Sequence, residues 1–204
     1  MSAEHGLNPA EVLKGSKAFR THEGRGAMYK VATFLIDHFW GTPADMADGL
    51  GVLLLTWNQA LYRYGGFDFA ALEQVLSHSL ECLAEYRARD ILSLTDADAP
   101  AIEDLFGRFL EALKGGKSQG ARSPVAVAKA LHLLAPKFFP LWDDKIAKAY
   151  NCRYSTNPSA KYLAFMHITK GHVTQLQGKI GADRSSVLKI IDEYNYAKFT
   201  KNWV

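Results

Sequence analysis

Apolar residues recur along this chain at intervals of three and four, and no stretch alternates apolar and polar positions long enough to argue for a strand. The pattern predicts an all-α, single-domain chain. Asn8 and Pro9 open a short first helix, and residues 21–26 read as a basic-flanked loop that closes a partly flexible N-terminal segment, 1–26. A second helix over 28–40 carries Val31, Phe34, Leu35 and Phe39 on one side. Thr42 then supplies an N-cap and Pro43 a first helical residue, starting a long apolar helix that continues through Arg63. Tyr64-Gly65-Gly66 breaks it, and Asp68 caps a helix over 69–87. A turn rich in capping residues, 95–100, precedes a helix ending near Leu113. Asn157-Pro158 starts a further helix running to about Lys179, and 185–199 makes the last.

Between these lies the clearest loop, 114–124, glycine-rich and basic, which leads directly into a helix over 125–134. Ser123 is suited to its N-cap and Pro124 to its first residue, so backbone N–H groups stand beside Lys117 and Arg122 where a phosphate could sit. An ordinary connector has the same composition, because the stretch is neither a Walker motif nor a GxGxxG loop. After Ala135-Pro136, two aromatics and a proline bring the chain to Asp143 and Asp144 at the start of another helix. The helix dipole alone accounts for carboxylates there, and chemistry is the alternative.

Charge changes the picture more than overall composition does. The chain of 204 residues is 48% hydrophobic, enough for a full core, and its net charge is only +3. Residues 1–113, however, hold nine Lys/Arg against sixteen Asp/Glu, a net of −7, whereas 114–204 hold fifteen against five, a net of +10. Such asymmetry suits a surface that neutralises phosphates, and lysine-rich solvated helix faces are the plainer alternative. The longest apolar run, 52–55 with Leu50 and Trp57 nearby, falls far short of the ~20 residues of a membrane helix, and the N-terminus has no signal-peptide pattern. A cytoplasmic protein that does not engage a membrane is expected. Cys82 and Cys152 have no metal-ligand spacing and read as reduced thiols. His167 and His172 lie about 140° apart on a helix, unsuited to a metal pair, and His132 falls on an apolar face as a packed core residue. Arg87 and Arg89 are expected to bridge to Glu85 and Asp90, and residues 192–196 to dock a helix end onto the core.

Taken as one unit, the run SPVAVAKALHLLAPKFFPLWDDKIAKAY resembles the core of the helix-hairpin-helix DNA glycosylases. In that family a hairpin grips the DNA backbone, a helix follows, and a short apolar connector delivers an aspartate to the N-terminus of the next helix, in a pattern like V-D-x-H-V/I-x-R. Here L-W-D-D-K-I-A-K is similar, placing Asp143 at the aspartate, Ile146 at the apolar position and Lys148 at the basic one. The stretch LLLTWNQA looks like the family's helix that ends in a polar wedge, falling on Asn58 or Gln59. The resemblance covers residues 50–150. It departs from the family where the LPGVG-type hairpin is absent, where Ser123 stands for a glycine, and where Val125 holds the place of the bifunctional members' nucleophilic lysine.

The resemblance implies a compact multi-helix glycosylase-like fold, with 114–150 as the hairpin-like loop, helix and aspartate segment. It implies a monomeric, monofunctional enzyme without metal or cofactor, hydrolysing the N-glycosidic bond of a damaged or modified base flipped from duplex DNA, in repair or in defence against modified foreign DNA. Asp143 would be the essential carboxylate, with Asp144 beside it as the other choice. Lys129, one turn beyond Val125 on the same face, could reach the same space. Among the aromatics Trp57, Tyr62, Tyr64, Phe138, Phe139 and Trp142, the best placed for a base pocket are Trp57 and Trp142. Lys117, Gln119, Arg122, Ser123, Lys145 and Lys148 would contact DNA. The alternatives are a helical nucleic-acid-binding protein without chemistry, or an interaction domain whose basic half meets an acidic partner.

Overall fold

The structure, a computed structural model, describes residues 6–23, 26–63, 66–115, 121–180 and 186–204. Among these residues the chain is all-helical: α1 (Pro9–His22), α2 (Gly26–His38), α3 (Pro43–Trp57), α4 (Gln59–Tyr62), α5 (Phe69–Ala88), α6 (Ala99–Ala112), α7 (Pro124–Leu134), α8 (Asp144–Ala149), α9 (Pro158–Leu176) and α10 (Val187–Asn195). Two 3-10 turns, Ile91–Ser93 and Asp96–Asp98, separate α5 from α6, and a π-helical turn, Tyr196–Thr200, follows α10. No described helix is long and apolar enough to cross a membrane.

Short polar side chains start these helices, at Asn8, Asp68, Ser123 and Asn157 as the sequence predicts and at Asp143 and Ser186 besides. Asn8, Asp68, Ser123, Asp143, Asn157 and Ser186 each accept a backbone N–H of the first turn. Thr42 adopts the extended N-cap backbone without a side-chain bond, and Pro43 fixes the first turn of α3. Leu50, Leu53 and Leu54 of α3 are fully buried, and α3 packs against α2, α5 and α7 at the centre of the main core. Each such leucine contributes about 2 kcal/mol relative to an exposed one. A smaller cluster of Val12, Val173, Leu176, Leu188, Ile191 and Tyr194 seals α1 and α9 to α10. Gly15 allows that contact, because a Cβ there would stand 2.6 Å from the ring of Tyr194.

Several expectations are corrected. The helix expected to continue through Arg63 breaks at Asn58 (φ −120°, ψ 33°), with α4 a separate turn. On α2 the buried side is Ala32 and Ile36, while Val31 and Phe34 are 47% and 63% exposed. Gly49 draws α2 so close to α3 that its Cα faces Ile36, which selects that side. Arg87 pairs with Asp37 and donates to the Leu134 carbonyl at 2.6 Å, and Arg89 pairs with Asp98 at 2.7 Å. Neither uses the neighbouring acids expected from sequence, because tertiary partners hold each guanidinium across the core edge.

Ion pairs cross between the acidic and basic halves of the sequence. Lys198 pairs with Glu11, and Arg122 pairs with Glu111 at 2.5 Å, so the two halves are laced together at the surface.

Candidate functional site

The site begins where α3 ends. Because Asn58 leaves the helix, the Trp57 carbonyl is open to an outside donor, and Lys129 of α7 supplies it: Nζ donates to Trp57 O at 3.1 Å and to Asn58 Oδ1 at 2.7 Å. A lysine at a helix C-terminus is favoured by the dipole as well as by these bonds. The same Asn58 donates weakly to Ser123 Oγ at 3.5 Å, and that oxygen accepts Ala126 N at 3.2 Å, so the end of α3 and the start of α7 are tied together.

The second part is the connector into α8. Buried Phe138, Phe139 and Trp142 anchor it, and Leu141 N donates to Asp192 Oδ1 at 3.1 Å. Asp143 then caps α8: Oδ1 accepts Ile146 N at 2.8 Å and Oδ2 accepts the Thr200 hydroxyl at 2.5 Å. Thr200 reaches it because the π-helical turn swings the C-terminal segment over α8, and Lys145 adds a bond to Thr200 O at 2.8 Å.

These parts enclose one cavity of about 680 Å³ of empty space, its open mouth included. Trp57, Lys129, Trp142 and Asp143 all line it, together with Lys189, Asp192 and Glu193 of α10. Behind it Trp57 stacks on Tyr29, with ring centroids 5.9 Å apart and planes 14° from parallel. Tyr29 Oη lies 3.1 Å from His132 Nε2, and His132 Nδ1 lies 2.8 Å from the Phe139 carbonyl. A carbonyl only accepts, so Nδ1 carries the proton and Nε2 accepts from the tyrosine.

Burial sets the charge states in this wall. Desolvation pushes the Asp192 carboxyl up to about 8, with Lys189 opposing it. Desolvation likewise lowers His132 to about 3. The 3.7 Å approach of Asp192 Oδ2 to His132 Nδ1 therefore joins two groups that are both neutral near pH 7, and it is not an ion pair. Glu193, by contrast, is held by Ser16 Oγ at 2.5 Å and Arg20 Nε at 3.0 Å.

Of the residues singled out from sequence, Trp57, Lys129, Trp142 and Asp143 converge on the cavity, and Asn58 joins them through Lys129. Gln59 lines a different depression with Leu55, Tyr62 and Arg63. Trp142 is 1% exposed and packed among Phe106, Tyr154, Tyr162 and Phe165, so it offers the cavity an edge and no open stacking face. Ser123 serves as the α7 cap, Arg122 is bound to Glu111, and Lys145 and Lys148 are exposed on α8. Lys117 and Gln119 lie outside the described residues. The loop's ends are pinched by an antiparallel bridge in which Gly115 N donates to Ala121 O at 2.8 Å.

Sequence reasoning missed Asp192, Glu193 and Lys189. A signal existed for the first: Leu188 and Asn195, four before and three after it, put Asp192 on the buried side of its helix, where a carboxylate calls for an explanation. Among the described residues no group of three or more His, Cys, Asp or Glu is placed to hold a metal ion. No family model matches the chain, and no curated protein or solved structure matches it.

Proposed function

We propose that the protein is a DNA glycosylase that hydrolyses the N-glycosidic bond of a damaged or modified base, with Asp143 as its essential carboxylate. One observation carries the reading: Asp143 at the head of α8 and Lys129 on α7, fourteen residues apart in sequence, line the same cavity beside the Trp57 indole. Cleaving an N-glycosidic bond builds positive charge on the sugar. A carboxylate oriented by two hydrogen bonds stabilises that charge without having to reorganise. Each carboxylate oxygen has lone pairs left after the bonds from Ile146 and Thr200, and these can align a water for attack on the sugar. The base must leave the stack to reach such a site, and the cavity beside Trp57 would receive it.

Lys129 has a supporting role here. Its Nζ is held by two acceptors at the end of α3, a geometry suited to a fixed cation that meets a phosphate or the leaving base. No lyase step is assigned to it.

The test uses Asp143→Asn, because asparagine is an equally good N-cap and keeps the bond from Ile146 while removing the charge. Duplexes carrying a panel of lesions and modified bases are incubated with protein and treated with alkali to cut abasic sites. Wild type cuts at least one, and the variant is slower by about 10²–10³-fold. Equal cutting by the variant would falsify the assignment.

A second reading draws on the same cap. Bonds from Ile146 N and Thr200 Oγ1 account for Asp143 as a structural residue, which suits a helical nucleic-acid-binding protein without chemistry. That protein binds duplex with an affinity that falls steeply with salt and cuts nothing in the panel.

A further inference from the structure

Between α7 and α8 the stretch Phe139-Pro140-Leu141 lies outside any helix yet inside the protein, with Phe139 and Pro140 buried. Its backbone groups therefore need partners that no helix ladder supplies. Three in succession find them on buried side chains of three different helices. His132 of α7 donates Nδ1–H to Phe139 O at 2.8 Å, Tyr162 of α9 donates its hydroxyl to Pro140 O at 2.8 Å, and Asp192 Oδ1 of α10 accepts from Leu141 N at 3.1 Å. Pro140 adds a fixed φ at the centre of the stretch. Tyr162 also packs its ring against Trp142, 5.3 Å between centroids, and Phe106, Tyr154 and Phe165 close around the same indole. Trp142 is the single residue between Leu141 and Asp143, and it has no room to turn.

We infer that His132, Tyr162 and Asp192 are positioning residues: together they fix the path of the connector, and through it the orientation in which Asp143 reaches the cavity. Their role rests on the reading of Asp143 as the reacting carboxylate. A connector on the surface would satisfy the same three groups with water, whereas drawing them inside commits three polar side chains to the core, each with a desolvation cost. Such a cost is offset where geometry matters, because a reacting group has to be held within about 0.5 Å by side chains that are themselves locked. At the far end of the connector Asp143 meets Ile146 N on Oδ1 and the Thr200 hydroxyl on Oδ2. The bond from Thr200 forms only when the carboxylate is delivered in register, which makes it a reporter of position that needs no catalysis.

Tyr162→Phe removes one hydroxyl and keeps the ring on Trp142, and among the described residues Tyr162 shares no hydrogen bond or ring contact with Thr200. A purely structural role for Tyr162 therefore leaves the two sites additive. The urea midpoint is measured for wild type, Tyr162→Phe, Thr200→Val and the double variant. Positioning predicts that the shift caused by Thr200→Val falls to about half or less in the Tyr162→Phe background. The same shift in both backgrounds, zero included, overturns the inference. On a duplex that wild type cuts, Tyr162→Phe and Asp192→Leu should lower kcat by about tenfold or more with KM unchanged, and Asp192→Asn, which keeps an acceptor for Leu141 N, should retain it. An unchanged kcat in Tyr162→Phe overturns the inference as well. The two proposals fail separately. Coupling of Tyr162 to Thr200 with no duplex ever cut leaves the positioning of Asp143 standing and removes the glycosylase. A duplex cut in an Asp143-dependent manner, with additive midpoints, does the reverse.

Discussion

Thr200 donates its hydroxyl to Oδ2 of Asp143 at 2.5 Å, across fifty-seven positions of sequence. With Ile146 N on Oδ1, both carboxylate oxygens are held, one by the helix that Asp143 caps and one by the π-helical turn at the end of the chain. Thr200→Val removes one of these and leaves the cap. The expected loss is about 1–2 kcal/mol of stability in urea denaturation, as for a hydrogen bond to a charged group. Thr200→Ser should restore it. If Val and Ser variants unfold at the same midpoint, the bond contributes nothing and the carboxylate is oriented by α8 alone.

Asp143 itself can be divided into cap and charge. Asp143→Ala should cost about 1 kcal/mol through loss of the cap to Ile146, and Asp143→Asn only a fraction of that. Thermal unfolding of the two variants side by side measures the difference. A large loss in the asparagine variant would mean that the charge, and not the cap, supports the fold here.

How much of this was legible in the sequence divides along lines of local and distant causes. The helices and the caps at Asp68 and Ser123 follow from residues close in sequence, where period and capping chemistry act, whereas the expectation that Lys129 and Asp143 share one space came from the family resemblance. The break at Asn58 was not legible, because only the fold brings Lys129 over from α7 to take the Trp57 carbonyl that the break frees. The exposed side of α2 was misread because the choice between Ala32-Ile36 and Val31-Phe34 is made by Gly49 on another helix. Asp192 and Glu193 looked like a polar helix end. Only the return of α10 against α1 and the Leu141 connector makes them walls of a cavity. The charge asymmetry was real in sequence, but α1 crosses into the basic half and pairs Glu11 with Lys198.

That return of α10 against α1 gives a packing test. The Cα of Gly15 sits where an added methyl would meet Tyr194 Cδ2 at 2.6 Å, and a buried ring edge between two helices has little room to yield. Gly15→Ala should therefore destabilise by about 1–3 kcal/mol, even though alanine is the better helix former by about 1 kcal/mol. Hydrogen exchange should report the loss first along α1. A variant as stable as wild type would show that α1 can shift away from Tyr194 without cost.

The pH dependence of stability isolates Asp192. Its carboxyl stands at about 8 in the folded protein against an ordinary 3.8, so the stabilisation of its protonated form is complete below pH 3.8 and is lost as pH rises towards 8. His132 runs the other way: at about 3 against an ordinary 6.5, its neutral form is fully accommodated above 6.5 and penalised as pH falls towards 3. Between 3.8 and 6.5 the two slopes oppose each other. Above 6.5 His132 and His172, both lowered by burial, still oppose this slope until the unfolded chain has lost their protons about one unit higher, but they do so equally in wild type and in an Asp192 variant, and the alkaline shifts of the cysteines and tyrosines begin only near 9 and 10. From 6.5 to 8 the folded chain keeps a proton on Asp192 that the unfolded chain has released, which costs wild type on the order of 1 kcal/mol per pH unit. Asp192→Asn, which cannot ionise, lacks this loss, so that the variant gains on wild type as pH rises. Urea midpoints at pH 6.5, 7.2 and 8.0 measure the slope for each. Parallel profiles would mean that Asp192 is already ionised at pH 6.5, with Lys189 winning over burial.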